Sequence, residues 1–214
     1  MTSSQEPWAL VVPVKRLDVA KTRLLLAPPD RVELALAMAC DTVAACLAAE
    51  SVSTVVVVTD DVRAASAMRG LGAVVVADKP DAGLNPALLN GASLMTDRRI
   101  GAVASDLPAL RPSDLDEMLA ASVEAGLGLA LVADAAGSGT TLLAASDPMR
   151  FVPMFGAASR QAHLDAGATD LTADAARSLR RDVDTIEDLV DALALGCGPA
   201  TTRAARDLAL PTVR

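Results

Sequence analysis

The sequence predicts an α/β fold, a mostly parallel sheet with helices on both faces. Three observations predict it. Short β-branched apolar runs alternate with longer amphipathic stretches along most of the chain. The 214 residues suit a single domain, since domains usually run to roughly 100–200 residues. The composition is 52% hydrophobic, mostly Ala, Val and Leu, which supplies a large core and excludes global disorder.

Residues 8–14 are a short apolar run and read as a buried first strand. A polar stretch follows with four cations, Lys15, Arg16, Lys21 and Arg23. Pro28-Pro29-Asp30 opens a long amphipathic helix to about residue 49, with Asp30 as its cap. The clearest strand is 54–59, TVVVVT. Asp60 and Asp61 end it and cap a helix running to Gly70, and 73–77 is the next strand. Residues 78–85 form a loop rich in Asp, Pro and Gly, followed by a helix over 86–96 and a brief strand over 102–104. A loop at 105–112 leads to a helix capped by Ser113 and ending at Ala125. Strands follow at 127–133 and 140–145, joined by a loop at 135–139. Residues 146–170 are irregular and hold both phenylalanines and the single histidine. A short strand at 179–183 and a helix at 185–195 complete the pattern. Residues 1–7 read as a flexible N-terminus, and 8–214 as one domain with an insertion near 135–175.

Composition removes several function classes. Aromatic residues make up 1% of the chain, namely Trp8, Phe151 and Phe155, so bases cannot be stacked on rings. A net charge of −8 argues against binding a phosphate backbone, and no nucleic-acid partner is expected. An acidic protein that handles phosphates must concentrate a few cations locally or recruit metal ions to its carboxylates. Cys40, Cys46 and Cys197 form no CxxC pair and no Cys/His cluster, so they read as small buried hydrophobes. No apolar run approaches the ~18–20 residues that span a bilayer, and no signal peptide is visible. A soluble, cytoplasmic protein without a membrane partner is the expectation.

In such sheets ligands bind beyond the carboxyl ends of the strands. Five polar loops are expected to gather there: 15–23, 78–85, 105–106, 137–140 and 182–184. Lys15, Arg16, Lys21 and Arg23 supply point charges and forked donors suited to a triphosphate. The stretch is neither a Walker A loop nor a GxGxxG fingerprint, because the glycines are missing. Asp106, just past a short buried strand, suits a Mg2+ ligand that bridges to phosphate oxygens. Asp182 and Asp184 flank Val183, and on a strand both carboxylates point one way. Alternatively Asp184 caps the following helix, with Glu187 completing a capping box. Gly137-Ser138-Gly139-Thr140 offers close backbone approach and hydroxyls for an anion. Ser159 falls at a helix start, where free N–H groups favour an anion, and Arg160 adds charge. His163 reads as structural.

These segments in order resemble one family. VPVKRLDVAKTRL, the Asp-rich loop before LNPALLNG, SDLPAL, GSGTTL, FGAASRQAHL and RDVDTIEDL are similar to the 2-phospho-L-lactate / phosphoenolpyruvate guanylyltransferases of coenzyme F-420 biosynthesis. The resemblance runs from about residue 8 to 203. It implies a single-domain nucleotidyltransferase of the sugar-nucleotide type, a modified Rossmann sheet, acting with Mg2+ on GTP and a three-carbon phosphorylated acid. It further implies that Asp106, Asp182 and Asp184 bind the metal and that Thr140, Gly156, Ser159 and Asn85 contact substrate. Lys15, Lys21 and Arg23 match its phosphate-handling loop. The product is expected to pass to the next transferase of the pathway. Two departures stand out. Ser105 replaces the usual glycine before Asp-Leu-Pro, and Ala157-Ala158 replace a typical Pro-Asp, which makes the acceptor pocket less polar. Residues alone do not separate phosphoenolpyruvate from 2-phospho-L-lactate, although the alanine-rich composition resembles actinobacterial members that tend to use the former. The rival readings are a same-fold transferase acting on a molybdopterin or sugar phosphate, and a non-catalytic nucleotide-binding protein.

Overall fold

Valine-rich segments that are apolar on both sides can only be central strands, and here they build the middle of one sheet. The computed structural model describes residues 6–80, 82–95, 99–124, 126–206 and 208. Within them β1 (Trp8–Pro13), β2 (Val52–Val58), β3 (Val74–Val76) and β4 (Arg99–Val103) run parallel. The strands β5 (Leu129–Ala133), β6 (Thr140–Ala145) and β7 (Thr169–Asp170) complete a seven-stranded sheet of order β3-β2-β1-β4-β6-β5-β7. Only β6 is antiparallel to its neighbours, β4 and β5. Within the 135–175 stretch, β6 sits inside the sheet, between β4 and β5.

Alternate side chains of β1 and β2 enter two cores. Leu10, Val12, Val55 and Val57 pack with Ala35 and Val43 of α1 (Pro28–Ala48) and with Leu115 and Leu119 of α4 (Pro112–Glu124). The same core takes Ala64 and Met68 of α2 (Val62–Leu71). On the other face Ala9, Val11, Val56 and Val58 meet Leu88 of α3 (Leu84–Ala92). That helix lies very close to the sheet at Gly91, where a Cβ would stand 2.6 Å from Val11 Cγ1 and 2.8 Å from Val58 Cγ2. Beyond β6 lie four shorter helices, α5 (Ser159–Asp165), α6 (Arg177–Arg180), α7 (Ile186–Leu195) and α8 (Pro199–Ala205). A third core joins Leu24, Leu34 and Met38 to Val183, Leu189 and Ala192. It clamps the cationic loop and the Asp182–Asp184 segment to the same end of α1. The three cysteines are free, and burial pushes the Cys46 thiol up to about 12.

Several expectations are corrected. Ala27, not Asp30, caps α1, because Pro28 and Pro29 fill the first helical positions, where no N–H is needed. Ser113 lies inside the first turn of α4, which begins one residue earlier at Pro112. The strand expected at 179–183 does not form. The chain leaves α6 at Arg180, and the Val183 N–H donates to the Asp106 carbonyl at 3.1 Å instead of joining the sheet. The helix ends expected at Thr96 and Ala125, and residues 1–5 of the N-terminal segment, lie outside the described residues.

Thr42 has a part that composition conceals. Its buried hydroxyl accepts from the Leu107 N–H at 3.0 Å and donates to the Met38 carbonyl at 2.9 Å, pinning the turn after β4 to α1. Thr42→Val keeps the volume and strands the Leu107 donor, so it should cost about 1–3 kcal/mol in urea unfolding. Unchanged stability would mean that the turn finds another acceptor.

Candidate active site

The fourteen residues between β1 and α1 cannot hold a lysine in place unless the chain around it is pinned. Here it is pinned at several points. The Leu17 N–H donates to Asp61 Oδ2 at 3.0 Å, and the Asp61 side chain also caps α2. The Arg31 guanidinium donates to the carbonyls of Ala20 and, at 3.0 Å, Asp18. Leu24, fully buried, anchors a single 3-10 turn at Thr22–Leu24. Lys21 and Leu25 bracket that turn with φ of 56° and 54°, a left-handed conformation that costs non-glycine residues of order 1 kcal/mol. The turn brings the Lys21 side chain to only 13% exposure.

There its ammonium donates to Asp106 Oδ2 and, at 2.8 Å, to Asp184 Oδ1. Arg23 reaches the other Asp184 oxygen at 3.2 Å. Burial works against the charged lysine, but the two carboxylates outweigh it and raise its pKa. Asp184 shows the reverse balance. Burial opposes its charge, and the attraction of Lys21, then Arg23 and Lys15, holds its pKa below the usual carboxylate range.

Asp184 is free for this because it does not cap α7. Thr185 takes the N-cap, and Asp188, not Glu187, completes the capping box. Asp182 precedes the buried Val183. Burial first, and then repulsion by Asp106, Asp134 and Asp184, push its pKa up to about 7, with only partial relief from Lys21. Asp134 was not anticipated. It accepts from the N–H groups of Ser138 and Gly139 at 2.9 and 2.8 Å, shaping the turn before β6. A Cβ at Gly139 would lie 2.3 Å from Asp134 Oδ2, so a side chain there would have to displace that carboxylate.

Of the residues expected to contact substrate, Thr140, Gly156 and Ser159 lie on the β6 side and Asn85 lies in α3. Thr140 begins β6, and its Oγ lies 3.0 Å from His163 Nδ1 on α5. Ser159, almost fully buried, starts α5, and its N–H donates to the Gly156 carbonyl at 3.2 Å. The Arg160 N–H donates to the Ser138 carbonyl at 3.1 Å, which draws α5 onto the 137–139 turn. The Arg160 guanidinium is already taken by Asp170 at 2.6 Å and the Gly137 carbonyl at 3.1 Å. Asn85 uses both ends of its amide on the Phe155 backbone, donating at 3.1 Å and accepting at 2.7 Å. It thus holds the 151–158 loop against α3.

Between the two halves opens a cavity of about 390 Å3, lined by Lys15, Lys21, Arg23, Asp106, Phe155 and Asp184 among others. A second recess of about 430 Å3 adjoins it at Lys15 and extends over Asp60, Asp61 and Asp78. Thr140, Gly156 and Ser159 do not line the first cavity themselves. Phe155 connects them to it.

The carboxylates suit a divalent cation. Asp106 Oδ1 is buried with no hydrogen-bond partner, and the Lys21 ammonium stands where a cation would bridge Asp106 and Asp184. Hard carboxylate oxygens are the donors Mg2+ prefers. Among the described residues, however, no three acidic, histidine or cysteine side chains already converge as ligands. A lysine bridge occupies that place instead. Among the described residues no helix is long and apolar enough to cross a membrane.

A family model described as guanylyl transferase CofC like matches residues 8–212. A protein of Thermomonospora curvata named phosphoenolpyruvate guanylyltransferase is 53% identical over 199 residues, covering 91% of this chain and 86% of its own length. A protein of the same name from Streptomyces coelicolor is 50% identical, covering 94% and 97%. Among solved structures, a nucleotidyl transferase from Methanothermobacter superposes with a TM-score of 0.61 at 23% identity, covering 87% of this chain and 95% of that one. A 4-diphosphocytidyl-2C-methyl-D-erythritol synthase gives 0.60 at 11% identity, covering 89% and 99%. These two likenesses show that the chain shares the fold of those proteins.

The raised pKa of Asp182 has a measurable consequence in the metal-free protein. A carboxyl whose folded pKa lies above its unfolded value stabilises the fold at low pH, and that stability is lost as pH rises through about 7. In EDTA, wild-type stability should therefore fall by about 1 kcal/mol more than that of Asp182→Asn between pH 6 and 8. Parallel pH profiles for the two proteins would show that Asp182 ionises normally.

Proposed function

Because this chain belongs to the CofC-like guanylyl transferase family, we propose that it transfers GMP from GTP to phosphoenolpyruvate or 2-phospho-L-lactate, releasing pyrophosphate. The names of its relatives favour phosphoenolpyruvate. The observation that carries the reading is the Lys21 bridge between Asp106 and Asp184 at the mouth of the cleft. Opposite charges are concentrated there in a protein that is otherwise acidic.

A phosphate oxygen of the acceptor attacks the α-phosphorus of GTP. The bond from that phosphorus to the bridging oxygen breaks, and its electron pair leaves with pyrophosphate. The attacking oxygen is already anionic at neutral pH, so the reaction needs no general base. Burial holds the pKa of His163 down to about 4, and both of its ring nitrogens are engaged. What remains is to position two polyanions and neutralise them. Lys15, Lys21 and Arg23 bind the nucleotide phosphates. Asp106, Asp182 and Asp184 would hold Mg2+, which would supply charge neutralisation to the phosphate oxygens. Lys21, which lines the cleft while it neutralises Asp106 and Asp184, is placed to turn toward the triphosphate. Thr140 and Ser159 offer neutral donors to the three-carbon acid. A product of this kind is an activated diphosphate, fit to be consumed by a further transferase.

Two experiments test this. Asp106→Asn should nearly abolish pyrophosphate release while leaving the melting temperature close to wild type, and retained activity at saturating Mg2+ would remove Asp106 from the reaction. In the second, Ser159→Ala and Thr140→Val should raise the KM for the acid far more than that for GTP. Each lost hydrogen bond to a charged group is worth about 1.5–3 kcal/mol, or roughly one to two decades in kcat/KM. Lys21→Ala should weaken GTP first. The reverse pattern would mean that the two halves of the cleft have exchanged roles. Mass analysis of the product formed with each acid identifies the acceptor.

A further inference from the structure

We propose that His163 is a positioning residue that fixes the Thr140 hydroxyl as a hydrogen-bond donor toward the anionic acceptor acid. This rests on the assignment of Thr140 to the acid made above. The ring is fully buried, and each of its nitrogens has one partner. Nε2 faces the Met154 N–H at 2.8 Å. A backbone N–H can only donate, so Nε2 must be the bare, accepting nitrogen. A neutral ring then carries its proton on Nδ1. The doubly protonated ring would set one N–H against another, and burial independently opposes it.

The protonated Nδ1 lies 3.0 Å from Thr140 Oγ, so the hydroxyl oxygen is the acceptor in that pair. Its own hydrogen must point elsewhere. Among the described residues no acceptor pairs with it. Thr140 thus presents a free O–H beside the 137–139 turn. Without the histidine, the same hydroxyl could rotate and turn a lone pair toward an incoming anion.

The ring is itself held in place. It meets Phe155 in a T-shaped contact, with centroids 5.2 Å apart and planes at 74°. Phe155 lines the cleft, and Asn85 clamps its backbone. A path of packed groups therefore runs from the cleft wall through His163 to Thr140.

His163 is the chain's single histidine, so untagged protein labelled with 15N-histidine reports this one ring. The expected spectrum shows a protonated Nδ1 and a bare Nε2 from about pH 6 to 8. Kinetics supply the functional arm. His163→Phe fills the space without a donor and should raise the KM for phosphoenolpyruvate by about tenfold or more, with the KM for GTP within about twofold of wild type. Adding Thr140→Val to it should change little further, since the two act as one unit. His163→Asn can place an amide N–H near the Nδ1 position and should restore most of the loss. A proton on Nε2, equal losses for both substrates, or independently multiplying effects of the two substitutions would overturn the proposal. If Thr140→Val alone spares the acid, the assignment of Thr140 fails and the proposal falls with it. If Thr140→Val weakens the acid but neither His163 variant does, only the role of His163 is refuted. Should His163→Phe fail to fold, the tautomer and His163→Asn still decide.

Discussion

One constraint organises this molecule: several carboxylates share one end of a sheet and must be neutralised. Asp106, Asp182 and Asp184 come from two separate segments, and Asp134 adds its field from a third. Close like charges in a half-buried place are costly unless a cation intervenes. Here the cation is Lys21, carried by a loop whose backbone is bent into the left-handed region to deliver it. Asp182 receives the least of that neutralisation, which is why its pKa rises while that of Asp184 falls. An arrangement held at such cost fits a site that exchanges cations when its polyanionic substrates arrive.

The rest of the fold keeps those charges at fixed positions. The third core packs Leu24 of the cationic loop with Val183, the residue between the two aspartates, and with Met38 of α1. Thr42, one turn along the same helix, fixes the segment after Asp106. The Val183 N–H bonds to the Asp106 carbonyl, so the two acidic segments register against each other through the backbone. On the other side, β6 enters the sheet antiparallel and brings Thr140 to the same end as β4. The half proposed to receive the acid and the half that gathers the carboxylates are thus two products of one topology, with Phe155 between them.

Much of this was legible in the chain. The alternation of β-branched runs and amphipathic stretches determined the parallel sheet, because period and apolar content act locally. The ordered motifs pointed to the reaction, and Lys21, Asp106 and Asp184 do meet in one place. Local chemistry misled at the helix starts: Asp30 and Asp184 were plausible caps, yet the neighbouring proline pair and Thr185 competed for the same role. The strand expected at 179–183 failed similarly, since its apolar residues are buried by loop and helix packing instead of by a sheet partner.

What tertiary structure alone decided is the pairing of groups far apart in sequence. By itself the sequence determined the kind of sheet, the charge that must be balanced and the residue types able to balance it. It could not determine that Lys21 spans Asp106 and Asp184, or that Asp134 lies close enough to repel Asp182. Nor could it show that His163 and Thr140 are hydrogen-bonded. Electrostatic and hydrogen-bond energies depend on distances of a few ångströms and on burial, and both are set only when the loops close over the sheet.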